Sequence, residues 1–251
     1  MNASLEVRNL SKHYPSFALQ NVSFSVPQGA VMGFIGRNGA GKSTTLKAIL
    51  GLVHPDGGAV SFFGKSFAEN EQFCKENIGV VLGGIDFYPK KKVKTITDVT
   101  RRFYRTWDEE KYRHYLRLFA IDEEKRVDQL SSGMKVKYLI ALALSHNAAL
   151  LILDEPTSGL DPVSRDDLTE LFRALVADGK RSILFSTHIT SDLDKCATHI
   201  TYIRDGQIVC SAEKGAFIAA FDHLRRDGET LTLEEIMVAT ERRGYDESAL
   251  I

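Results

Sequence analysis

Apolar and polar positions along this chain change their period twice. Over the first sixty residues they fall in short blocks. LEVRNL (5–10) and FALQNVSFSV (17–26) are rich in Val, Phe and Leu, alternate in part, and are bordered by turn residues, so they predict strands. VMGFIG (31–36) is an unbroken apolar run, the pattern of a strand buried on both faces. From Lys42 to Leu52 the spacing turns helical, with Leu46, Ile49 and Leu50 on one face. Gly51 and HPDGG (54–58) stop that helix, and AVSFFG (59–64) predicts another strand.

Between Thr95 and Ser145 the helical period dominates. Tyr112, Tyr115, Leu116 and Phe119 stand at i, i+3, i+4 and i+7, and Val136, Leu139, Ile140 and Ala143 repeat that spacing. RRFYRTW (101–107) predicts an amphipathic helix in the same region. Three apolar runs follow: LLILD (150–154), SILFSTH (182–188) and ITYIRDGQIV (200–209). The helical stretch SRDDLTELFRALVADG (164–179) lies between the first two. This β-α-β rhythm implies a parallel sheet. Near the end, Thr232 followed by Glu235 predicts a capping box and a last helix.

Composition narrows the class. A chain of 251 residues suffices for one large domain, or a domain with a subdomain. Its net charge of -1 gives no bulk attraction to nucleic acid or an anionic membrane. Cys74, Cys196 and Cys210 have no Cys-x-x-Cys spacing, which argues for a reducing compartment and against a disulfide framework or a zinc site. The start, MNASLEVRNLSKHY, lacks the apolar core of a signal peptide, and no apolar run approaches the roughly 18 residues of a membrane span. A cytosolic protein is expected; if it works at a membrane, a partner must cross it. Lys90, Lys91, Lys92 and Lys94 form the one local block of charge.

The chemistry concentrates in GRNGAGKST (36–44). It matches G-x-x-x-x-G-K-[ST] and stands between a predicted strand and a predicted helix, the context that motif requires. Such glycines let backbone N–H groups converge on phosphate oxygens, and the helix N-terminus adds its dipole. Gly36, Asn38, Gly39, Ala40, Gly41 and Thr44 therefore cradle a nucleoside triphosphate. Lys42 reaches its β- and γ-phosphates, and the Ser43 hydroxyl binds Mg²⁺. LLILDEP supplies the other half. Asp154 ends a buried strand where it can hold Mg²⁺, and Glu155 can activate water. His188 ends another core strand, and strand ends in such sheets gather around the ligand crevice.

LSSGM (130–134), before the 136–143 helical pattern, and SGLD (158–161), after the acidic pair, complete an ordered set. With them the chain resembles the ATP-binding subunits of ABC transporters, over roughly Leu5 to Val209. The resemblance implies an α/β P-loop NTPase core with a mostly parallel sheet, an N-terminal antiparallel β-subdomain, and a helical subdomain that carries the signature loop. The ATPase domain would span 1–210, its helical subdomain about 95–145, and a helical extension 211–251. LSSGM resembles the signature loop LSGGQ, SGLD the D-loop, and His188 the switch histidine; Tyr14 stands where the family stacks an aromatic on adenine. The resemblance further implies ATP and Mg²⁺ as ligands and a second ATP-binding subunit, identical or not. The two subunits would close head to tail, with Ser131 and the amide of Gly133 reaching the γ-phosphate across the interface. Transmembrane permease subunits would be driven by that closure, which places the protein on the cytoplasmic face of a membrane.

Two features depart from the family's pattern. Ser132 and Met134 replace a glycine and a glutamine in the signature, and Gly83, in IGVVLGGIDFYP, falls where a glutamine is usual. Similar departures resemble a bacterial export branch with separate membrane subunits. A soluble ABC-type ATPase acting on nucleic acid or the ribosome is the main alternative. The single ATPase unit, the short gap from Thr44 to Leu130 and the near-zero charge weigh against it. A weakly hydrolysing regulatory subunit is the other; Glu155 and His188 weigh against it, and Gly83 favours it.

Overall fold

The computed structural model describes residues 3–82, 88–225 and 231–241. Its strands are β1 (Ala3–Tyr14), β2 (Phe17–Pro27), β3 (Val31–Ile35), β4 (Gly57–Phe62), β5 (Lys65–Ser66), β6 (Ile78–Val81), β7 (Leu150–Asp154), β8 (Ser182–Thr187), β9 (His199–Arg204) and β10 (Gln207–Glu213). Its helices are α1 (Lys42–Ile49), α2 (Glu71–Asn77), α3 (Val93–Thr100), α4 (Glu109–Leu118), α5 (Ser132–Ser145), α6 (Pro162–Val176), α7 (Thr190–Cys196), α8 (Lys214–Ala220) and α9 (Leu233–Glu241). An antiparallel sheet runs β2–β1–β4–β5, and a second sheet runs β10–β9–β3–β8–β7–β6. All pairings in the second sheet are parallel except β9 with β10. The α/β class, the mostly parallel sheet and the antiparallel N-terminal part are as the sequence predicts.

The unbroken apolar runs bury both faces because a layer packs on each side. Val31 and Ile35 of β3, Leu151 and Leu153 of β7, and Ile183 and Phe185 of β8 face a core shared with α6, α7, α8 and α9. The alternate residues Met32, Phe34, Leu150, Ile152 and Leu184 face α1 and the antiparallel sheet. That alternation is the period of two of a pleated strand, expressed on two cores at once. A third core fills the helical subdomain, where Thr97 hydrogen-bonds the buried hydroxyls of Tyr112 (2.8 Å) and Tyr138 (2.9 Å).

Several expected elements differ. The 101–107 stretch is not a helix: only Arg101–Phe103 forms a single 3₁₀ turn. Tyr104 instead stacks on His146 with ring centroids 3.7 Å apart, and Trp107 tilts against Tyr112. Each ring is thus anchored to a different neighbour. Thr106 donates to the His146 carbonyl at 2.7 Å, so the segment is tied to the end of α5. Burial pushes the His146 imidazole down to about 4, keeping it neutral. The first helix ends at Ile49 rather than Leu52, with Gly51 at φ 70° closing it. The helix after LSSGM begins inside that motif, at Ser132. Strand β10 runs to Glu213, across the boundary expected at 210, and Phe217, Leu233 and Ile236 of the C-terminal segment enter the main core.

ITYIRDGQIV is a hairpin rather than one strand. Arg204 and Gln207 pair around a two-residue loop, Asp205 (φ 47°) and Gly206 (φ 78°). Two positive φ values in a row make the turn whose twist suits a hairpin, and Asp-Gly is its common sequence. Gly206 is also crowded. A Cβ there would lie 1.8 Å from the Ala18 carbonyl oxygen, while its N–H donates to the Ala40 carbonyl at 3.0 Å. Gly206→Ala should therefore cost about 2–4 kcal/mol from strain and overpacking. In a chain of this size that lowers Tm by roughly 5–15 °C. Thermal unfolding followed by circular dichroism would test it; an unchanged Tm would contradict the close approach.

Candidate functional site

The glycine-rich loop 36–41, the expected phosphate loop, joins β3 to α1 and is shaped by contacts on both sides. At Gly36 a Cβ would come within 2.4 Å of the Ile203 carbonyl oxygen; at Gly41 (φ 111°) it would meet Leu19 and Phe17 at 2.8 Å. The loop thus lies pressed against β2 and β9, and only glycine leaves room. Gly41 is the N-cap of α1 and provides no side-chain cap, and the first turn holds no acidic residue. The first N–H groups of α1 are left for an anion, in the field of the helix dipole. The Lys42 ammonium, 6% exposed, donates to the Gly36 carbonyl at 2.7 Å and lies 3.4 Å from Glu155 Oε1.

Asp154 ends β7 beside this loop because β7 is parallel to β8, which in turn pairs with β3. Its Oδ1 accepts from Ser186 Oγ at 2.6 Å and from Ser43 Oγ at 3.2 Å. A hydroxyl and a carboxylate on one spot form a hard-oxygen donor pair, which suits Mg²⁺, an ion that keeps several waters and takes few protein ligands. Among the described residues there is no cluster of three or more His, Cys, Asp or Glu suited to holding a metal alone.

Glu155 takes a left-handed backbone, φ 50°, which is costly for a residue with a Cβ. Its N–H is held by the Ser186 carbonyl (3.2 Å) and hydroxyl (3.0 Å). That turn swings its side chain back across the strand ends. Oε1 faces Lys42, and Oε2 accepts from His188 Nδ1 at 2.8 Å. A carboxylate only accepts, so Nδ1 carries the proton in this pair. Glu155 is therefore oriented from two sides, in the wall of a cavity of about 620 Å³. The same cavity is lined by Asn38, Gly39, Lys42, Ser43, Thr44 and His188.

The remaining expected residues fall in different places. Tyr14, at the end of β1, is not in the cavity lining; Lys12 lies over its ring at 5.8 Å. Phe17, three residues on, lines the cavity instead and packs on Gly41. Ser131 and Gly133 are also absent from the lining. Ser131 is the N-cap of α5, accepting from Met134 N at 3.2 Å, and Gly133 faces Ser164 and Leu160. Neither residue lines the cavity that holds Lys42 and Glu155. Gly83 and Phe87 lie outside the described residues. Four lining residues were not expected: Ser16, Phe17, Arg37 and Ser158. Arg37 and Ser158 stand inside motifs already singled out, and Phe17 is the first residue of a predicted strand beside the loop. Asp161 of SGLD caps α6, accepting from the N–H groups of Val163 and Ser164 at 3.0 Å. The Ser164 hydroxyl and these N–H groups hold the Asp161 carboxyl below its usual range.

Comparison with known proteins places this geometry. A family model described as ABC transporter matches residues 19–158. The bacitracin transport ATP-binding protein BcrA of Bacillus licheniformis is 31% identical over 229 residues, covering 90% of this chain and 72% of that protein. The Nod factor export ATP-binding protein I of Burkholderia orbicola is 34% identical over 222 residues, covering 86% and 73%. A solved ATP-binding subunit of an ABC transporter superposes with a TM-score of 0.82 at 28% identity, covering 95% of this chain and 99% of that one.

Proposed function

The chain belongs to the ABC transporter family, and from that premise we propose how its site works and what it drives. It is an ATP-binding subunit of an ABC transporter and an ATPase. The observation that carries the mechanism is the Glu155 carboxylate, held between Lys42 and His188 beside the phosphate loop. The loop amides and Lys42 bind the phosphates of ATP. Glu155 takes a proton from the attacking water, and His188 fixes the orientation of that carboxylate. Ser43 and Asp154 would hold Mg²⁺, which neutralises charge on the phosphate oxygens when bound. Phe17 supplies the aromatic face in the cavity that Tyr14 does not line.

Two such subunits close head to tail, each presenting Ser131 and Gly133 to the other's nucleotide. This reading accounts for a signature loop that lies away from the cavity within one chain. Closure drives membrane-spanning partners: among the described residues no helix is long and apolar enough to cross a membrane. The name of the Nod factor export relative supports export as the direction. The partner docks on the segment from Gly83 to Lys94, where Tyr88 is 68% exposed at the edge of the helical subdomain. That puts the working protein on the cytoplasmic face of a membrane. Native membranes should retain a tagged copy together with membrane-spanning subunits. Replacing Phe87 and Tyr88 together by Ser should release it with an unchanged circular dichroism spectrum. Full retention would remove the docking assignment.

A further inference from the structure

Arg37 occupies the first variable position of the phosphate loop and lines the nucleotide cavity beside Lys42 and Ser43. Its side chain is half exposed, and its Nη1 lies 3.9 Å from Oε2 of Glu241, the last residue of α9. Glu241 is held from the other side. The hydroxyl of Tyr202, a buried residue of β9, donates to Glu241 Oε1 at 2.7 Å and is 2.9 Å from the Thr240 hydroxyl. Arg204 Nη1 donates to the Thr240 carbonyl at 3.1 Å. The final turn of α9 is thereby clamped to β9, with one carboxylate oxygen turned toward the phosphate loop.

The two contacts to Glu241 differ in kind. At 2.7 Å the Tyr202 contact is a short hydrogen bond, whereas 3.9 Å to Arg37 is too long for one and is held by charge alone. A phosphate offers the guanidinium a better partner, because the planar fork can donate two parallel bonds to it. When Arg37 leaves, Glu241 is not stranded, since Tyr202 still satisfies Oε1. The exchange therefore costs little on the protein side.

We propose that Arg37 is a further phosphate ligand of the nucleotide site, and that Glu241 competes with ATP for it. The end of α9 then lowers ATP affinity, and ATP binding uncouples that turn from the phosphate loop. The inference rests on the cavity being a triphosphate site. Calorimetric titration of the full chain with MgATP tests it. Glu241→Gln should tighten binding about two- to fivefold, the range of a half-exposed ion pair, and the gain should shrink in high salt. Arg37→Gln should weaken binding about tenfold, as expected for a lost charge-assisted contact. In the Arg37→Gln background, Glu241→Gln should change nothing beyond about 1.5-fold. A second measurement needs no substitution: amide hydrogen exchange in 233–241 should quicken when MgATP is added to the wild-type chain. Equal gains from Glu241→Gln in both backgrounds, or slower exchange of α9 with ATP, would overturn the proposal. Lys42→Ala separates the two levels. If it binds MgATP as the wild type does, the triphosphate site itself is misassigned. If it loses affinity while Glu241→Gln has no effect, only the competition fails.

Discussion

Glu155→Gln should bind MgATP as well as the wild type and hydrolyse it about 10²–10⁴-fold more slowly, the range of a lost general base. The amide copies the carboxylate's shape, so it still accepts from His188 Nδ1, now 2.8 Å from Oε2. It cannot take a proton at neutral pH. It also removes the negative charge 3.4 Å from Lys42 Nζ, leaving more of that cation's field for the phosphates. Affinity should therefore hold or rise while turnover collapses. An ATP-bound dimer should then accumulate, visible by size-exclusion chromatography with light scattering. Phosphate release gives the rate, and calorimetry gives the affinity. Turnover at the wild-type rate would show that another group removes the proton. A slow variant that stays monomeric with saturating MgATP would count against the head-to-tail dimer and leave the base assigned.

Lys42→Ala should fail one step earlier, at binding. The ammonium is nearly buried, and its hydrogen bond to the Gly36 carbonyl aims it at the phosphate loop. Hydrogen bonds from a charged donor to phosphate contribute about 2–3 kcal/mol, so their loss weakens Kd roughly 30–150-fold. A second effect acts in the same direction: the Glu155 carboxylate loses its cation and faces the incoming phosphates unopposed. Titration calorimetry with MgATP measures the loss directly. Affinity within twofold of the wild type would remove the phosphate-loop assignment, since no other side chain of the loop carries a charge that deep. Arg37, the loop's other cation, is half exposed and already paired with Glu241.

What the amino-acid sequence determined by itself is local. The strand–glycine–helix context of residues 31–49 is contiguous, so the glycine loop between β3 and α1 could be placed from spacing alone. β3 announces itself as an unbroken apolar run, and β7 and β8 as apolar runs that turn polar at their ends, because a strand buried on both faces admits a polar side chain only where a hydrogen bond satisfies it, as Ser186 and Asp154 satisfy each other at 2.6 Å. The capping box predicted from Thr232 and Glu235 forms, with Thr232 N donating to Glu235 Oε2 at 2.8 Å and Glu235 N to Thr232 Oγ1 at 3.2 Å. Each pattern spans a few residues, and its physics is complete within them.

Tertiary structure alone decided the rest. β6 is four residues at the sheet edge; Gly79 breaks its apolar run because Ala143 of α5 packs where a Cβ would stand, 2.4 Å away. Nothing in IGVV signals that neighbour. The order β9–β3–β8–β7 is not the order of the chain, and it alone brings Lys42, Glu155 and His188 to one cavity. Spacing also cannot separate Tyr14 from Phe17: the turn between β1 and β2 carries Phe17 into the cavity lining, which Tyr14 does not join. The contact of Arg37 with Glu241 joins residues near opposite ends of the chain, through the packing of α9 on β9. Hydrophobic periodicity reports which face of an element is buried. It carries no information about which element does the burying, and that choice is made by how whole layers share a core.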